Sequence, residues 1–124
     1  MVSAVNIALE EKAVEINIKG KRKKVSAIEG MVQGVTGADN QLSIFLDPEK
    51  TTYGIRLIRF NGVSPVRRGD RIKAGLIVDQ EFPKEAVYIG LLKDASHNSI
   101  YERIDCMRDY DSLHVDWKKM GLPD

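Results

Sequence analysis

The sequence predicts a mainly β domain: a small barrel or sandwich hybrid of about six to seven strands, followed by a short C-terminal helical segment. Three observations carry that expectation. Apolar and polar residues alternate at Val14, Ile16, Ile18 and again at Leu42, Ile44, Leu46, the period of a half-buried strand. Two short apolar runs, Ile72–Val78 and Val87–Leu92, have the length of buried strands. Turn-forming residues punctuate these stretches at Thr36–Asn40, Asn61-Gly62 and Arg68-Gly69-Asp70.

Taken in order, Met1–Leu9 is mildly apolar and suggests no element of its own. Val14–Ile18 is the first strand, and Lys19–Lys24 reads as a basic turn around Gly20. Val25–Val35 is the second strand; Gly30 and Gly34 inside it mark a bulge, a bend or a close backbone approach. Leu42–Leu46 ends at Asp47-Pro48, and Tyr53–Phe60 is a further strand. Ser99-Ile100-Tyr101-Glu102 matches a capping box, with Ile100, Ile104 and Met107 following at helical spacing. A second short helix is expected over Leu113, Trp117 and Met120, stopped by Gly121 and Pro123. The expected division is a β domain over 1–98 and a helical tail over 99–124 packed on it, one domain overall.

Composition narrows the function classes. The 124 residues carry 19 Lys and Arg against 18 Asp and Glu, a net charge of +1, which argues against a surface that is basic all over. The hydrophobic share of 43% is that of a globular chain. Cys106 is the single cysteine, so no internal disulfide forms, and it reads as a small core residue. The first residues lack a cationic leader and no apolar run approaches the ~20 residues of a membrane span. Synthesis in the cytoplasm without a signal peptide is the expectation, with a virion as one setting.

Two longer patterns point to a family. Val25-Ser26-Ala27-Ile28-Glu29-Gly30-Met31-Val32 resembles a strand entry of lysostaphin-type metallopeptidases and related barrel-sandwich hybrid domains. Val66-Arg67-Arg68-Gly69-Asp70-Arg71-Ile72-Lys73-Ala74-Gly75-Leu76-Ile77 is similar to a hairpin of the same families. The likeness covers roughly residues 13–94, and biotinyl, lipoyl and sugar-phosphotransferase carrier domains share these scaffold glycines. The family's zinc site needs three protein ligands and an open water position. Carried over, its ligand and catalytic positions fall on Ala13, Asn17, Ala86 and Tyr88, and the two histidines, His97 and His114, lie beyond the last expected barrel strand. The resemblance therefore implies a degenerate, non-catalytic relative with no metal and no cofactor. Such a module would act in protein assembly or cell-wall peptide binding, for instance as a phage structural protein, through self-association or a protein partner. Neither a carrier lysine on a hairpin nor a phosphotransferase histidine is present.

The residues themselves support a second class. Lys21, Arg22, Lys23 and Lys24 can grip phosphate or an acidic patch, or simply be a solvated strand that resists edge pairing. Phe45, Tyr53 and Phe60, if turned outward beside Arg56, Arg59 and Arg71, could stack bases as an oligonucleotide-binding barrel does; otherwise they are core. Arg67 and Arg68 belong to the same arginine-rich stretch, and Tyr88 is a further candidate contact. Tyr101 and Trp117 are candidates for an interaction surface on the tail helices. Asp109, Asp111 and His114 read as helix caps and not as metal ligands.

Overall fold

The computed structural model describes residues 4–18, 21–38, 41–62, 66–94 and 100–106. One helix, α1 (Ala4–Glu11), precedes seven strands: β1 (Val14–Ile18), β2 (Lys21–Ala38), β3 (Gln41–Leu46), β4 (Leu57–Asn61), β5 (Arg71–Ile77), β6 (Lys84–Asp94) and β7 (Ile100–Cys106). The helix was not expected from its sequence. Eight residues form a marginal helix in water, and this one is held by docking, with Leu9 fully buried and Val5, four residues earlier, packed against the core.

The long strand β2 organises the rest. Lys21–Val25 pairs with β1, Val25–Met31 with β5, and Val32–Ala38 with β3, all antiparallel. The expected strand over 25–35 is thus an 18-residue strand, and Lys21–Lys24 belong to it and not to a turn. Gly30 explains one close approach. A Cβ there would lie 2.7 Å from Thr51 Oγ1, so glycine lets the segment between β3 and β4 settle against β2. That segment holds two 3-10 turns, Pro48–Lys50 and Thr52–Gly54, and Thr52 Oγ1 bonds both the amide and the carbonyl of Glu29 at 3.1 Å. Tyr53 lies in these turns with a left-handed φ of 57°, so the strand expected over 53–60 begins only at Leu57.

Closure follows from the remaining ladders. β3 pairs antiparallel with β4, β4 parallel with β6, β6 antiparallel with β5, and β5 returns to β2. The chain is mainly β, and β2-β3-β4-β6-β5 forms a closed five-stranded barrel, with β1 and β7 added at its margins. Alternation along each strand fills the interior with Ile28, Val32, Ile44, Leu46, Ile58, Phe60, Ile72, Leu76 and Ile89, all buried. Each such side chain contributes roughly 1.5–3 kcal/mol on leaving water.

The helix expected to start at Ser99 is corrected by β7. Residues 100–106 pair antiparallel with β6, with Leu92 opposite Tyr101 and Tyr88 opposite Cys106. β4 occupies β6 only from Lys84 to Ala86. The rest of β6 offers a row of backbone donors and acceptors, and saturating them outweighs the local capping signal of four residues. Met107 and the second helix expected over Leu113–Met120 lie outside the described residues.

Candidate nucleic-acid interface

On β3 and β4 the alternation that sends Ile44, Leu46, Ile58 and Phe60 inward sends their neighbours out. The register places Gln41 opposite Asn61, Ser43 opposite Arg59 and Phe45 opposite Leu57 on that outer face. Phe45 keeps 41% of its surface exposed, although β-strand phenylalanines ordinarily find cover. Gln41, Ser43, Arg59 and Asn61 line a polar depression of about 370 Å³ with Glu85 of β6. A second depression of about 270 Å³ lies between Arg56, Leu57, Phe82 and Pro83. Phe82, on the β5–β6 turn, is 45% exposed. Leu57 is thus flanked by Phe45 across the ladder and by Phe82 across the second depression. Arg56 and Arg59 are exposed and make no ion pair among the described residues.

The β5–β6 turn that carries Phe82 is held from below. Lys84 is fully buried, and its ammonium donates to the carbonyl of Val78 at 2.8 Å and to that of Gln80. The same ammonium sits 4.8 Å from the centre of the Phe82 ring, within cation–π range. Burial pushes the Lys84 pKa down, against a weaker upward pull from Asp79 and Glu10. Gln80 accepts from the Glu85 amide at 2.9 Å and its side-chain amide donates to Glu85 Oε2 at 3.5 Å. The carboxylate beside Arg59 is therefore oriented by Gln80.

The expected site residues are distributed unevenly. Phe45, Arg56 and Arg59 gather on the β3–β4 side of the barrel. Tyr53 is 38% exposed in the turn between these strands, with the Lys12 ammonium 5.7 Å from its ring centre. Arg71 is exposed at the start of β5, opposite Met31. Lys21–Lys24 lie at the other end of β2, on the ladder with β1. For Phe60 the core alternative holds, since it faces the interior with 1% exposure. One expectation is corrected: Tyr88 is fully buried and offers no contact surface, because Gly75 opposite it leaves room for the ring where a Cβ would collide. Tyr101 lies in β7, and Trp117, His97, His114, Asp109 and Asp111 lie outside the described residues.

Phe82, Leu57, Gln41, Ser43 and Asn61 were not singled out from the sequence. Phe82 had a signal available: a large aromatic in the polar stretch Asp79-Gln80-Glu81-Phe82-Pro83, between two apolar runs, has no strand to bury it.

Of the four positions carried over from the metallopeptidase resemblance, Ala13 precedes β1, Asn17 pairs with Arg22 on β2, and Ala86 and Tyr88 are buried in β6. Among the described residues, no three His, Cys, Asp or Glu side chains gather in a metal-binding group. No helix among the described residues is long and apolar enough to cross a membrane. The chain matches no protein-family model, and neither the curated proteins nor the solved structures contain a match to it.

Proposed function

We propose that this chain binds single-stranded nucleic acid on the outer face of β3 and β4. The observation that carries the reading is the row Phe45, Leu57, Phe82, with two exposed phenylalanines beside Arg56 and Arg59, which form no ion pair among the described residues. Exposed aromatic faces stack bases with little regard to sequence, and arginines beside them hold the backbone. The setting supports it, since a five-stranded Greek-key barrel that uses its second and third strands and adjoining loops is how oligonucleotide-binding barrels work. Here β3 and β4 are the second and third barrel strands, and the Phe82 turn joins the fourth and fifth. Gln41, Ser43 and Asn61 add amide and hydroxyl groups that can meet base edges. In this reading the chain is a binding module and catalyses nothing.

The test is fluorescence anisotropy with a labelled dodecathymidine at increasing salt. Binding should weaken steeply as salt rises, and Phe45→Ala and Phe82→Ala should each weaken it in folded protein. Absence of binding at low salt would sink the reading.

A role in protein assembly, drawn from the lysostaphin-type resemblance, is the second reading. What favours it is the outer edge of β1, which pairs only with β2 among the described residues and alternates Val14, Ile16 and Ile18 with polar residues. Such an edge can accept another strand. Light scattering distinguishes the two: assembly gives a concentration-dependent mass that Phe45→Ala and charge reversal at Arg56 and Arg59 leave unchanged.

A further inference from the structure

We infer that the bound strand continues past Phe45, over Gly34, to the turn at Arg67-Arg68, whose guanidinium groups take the phosphates of one end of the nucleic acid. This rests on the reading of the β3–β4 face as a single-strand platform and adds its second half.

The Arg67–Asp70 turn is fastened to the middle of β2. Gly69 donates to the Val32 carbonyl at 2.8 Å, and the Val32 amide donates to the Asp70 carbonyl at 2.8 Å. Within the turn, the Asp70 amide donates to the Arg67 carbonyl at 3.1 Å, and Asp70 Oδ2 accepts from the Arg67 amide at 2.8 Å. Gly69 has a φ of +93°, a left-handed conformation that a side chain would strain. The backbone under the two arginines is thus pinned, while both side chains are exposed and form no ion pair among the described residues. The nearest acid in sequence, Asp70, has an oxygen committed to the Arg67 amide. Arg71, also exposed, continues the cluster on β5.

The connection to Phe45 runs through β2. Val32 carries the turn on one edge and pairs with Leu46 of β3 on the other. Directly after it, the ladder with β3 is offset at Gln33, and Gly34 stands opposite Phe45. A Cβ at Gly34 would meet nothing within 4 Å among the described residues, so the backbone opposite Phe45 is uncovered at that point. From the Phe82 turn across β4, β3 and β2 to the arginine turn is four strand spacings of about 4.8 Å, or ~19 Å. That length suits the short end of the roughly 4–16 nucleotides that such barrels hold. The chemistry divides along it: aromatic faces take bases at one end, and guanidinium forks, which match phosphate geometry, take backbone at the other.

The experiment is a salt titration of dodecathymidine binding by the full chain, comparing wild type with Arg67→Ala/Arg68→Ala and with Arg67→Lys/Arg68→Lys. Each lost phosphate contact should make the slope of log affinity against log salt shallower by about 0.7. The alanine pair should therefore be weaker at low salt and less salt-sensitive, whereas the lysine pair should keep most of the slope. Should the alanine pair fail to fold by circular dichroism, Arg67→Gln/Arg68→Gln carries the same expectation. A wild-type slope in a folded, charge-neutral variant overturns the inference while leaving the platform standing. Failure of wild type to bind at all overturns both.

Discussion

Two basic stretches of this chain end in opposite circumstances. Lys21–Lys24 is the denser in sequence, yet β2 disperses it, because successive residues of a strand point to opposite faces. Its partners then neutralise part of it: Arg22 meets Glu15 at 3.6 Å and Lys24 meets Glu10 at 2.8 Å. The Glu10 bond and charge hold the Lys24 pKa above its ordinary value. The arginines at 56 and 59 are sparser and form no ion pair among the described residues, although Glu85 of β6 stands opposite Arg59; Arg56 lies beside Leu57 and Phe82, with Phe45 across the ladder. Charge density along a chain is therefore a poor guide to a binding surface. What matters is whether neighbouring strands bring acids or aromatics to it.

The sharpest way to break this comparison is to remove the aromatics. Phe45→Ala and Phe82→Ala should each cost about 1–3 kcal/mol of oligonucleotide affinity, with the unfolding midpoint little changed for Phe45→Ala and modestly lowered for Phe82→Ala, whose ring also lies against the Lys84 ammonium. Anisotropy and urea melts check the two halves of that statement. Next in size, Arg56→Glu/Arg59→Glu should weaken binding several-fold at low salt and flatten its salt dependence. The matching reversal in the hairpin, Lys21→Glu/Lys23→Glu, should change affinity less than about twofold at physiological salt, where distant exposed charges are screened. An equal loss from both reversals would erase the distinction between the regions.

The smallest effect concerns Tyr88, an expected contact that is fully buried. Burial raises its pKa from the ordinary 10.0. A raised folded pKa means the contribution to stability is complete below pH 10.0 and is lost as pH climbs through the alkaline range, because the unfolded phenol ionises first. Lys84 works the other way, since its lowered pKa lets stability rise toward pH 10.5. Tyr88 carries the larger shift. Tyr88→Phe should accordingly show a shallower loss of stability above pH 10 in urea melts and leave oligonucleotide binding unchanged at neutral pH.

Much of the barrel was legible in the chain. The alternations at Val14–Ile18 and Leu42–Leu46, and the apolar runs that became β5 and β6, sit where the expected strands do. The misreadings have specific causes. Ser99–Glu102 carries a local helix signal, but the vacant edge of β6 recruits residues 100–106 into a strand. Tyr53 looks like a strand residue and lies instead in a 3-10 turn. The candidate site was half legible: residue type marks Phe45, Arg56 and Arg59, whereas Phe82 is not among the expected contacts and Tyr88, which is, lies buried.

The sequence by itself determined the period-two patterning, the turn positions and the near balance of charge, because these depend on residues close together in the chain. Only the tertiary structure decided which aromatics are exposed. Phe60 and Phe45 sit on neighbouring strands, and a single step of strand parity sends one into the core and the other into solvent. The tertiary structure likewise brings Phe82 beside Arg56 and Leu57 from 25 or more residues away, through the parallel pairing of β4 with β6. No local pattern encodes such a pairing, since it is settled by closure of the barrel around its shared interior.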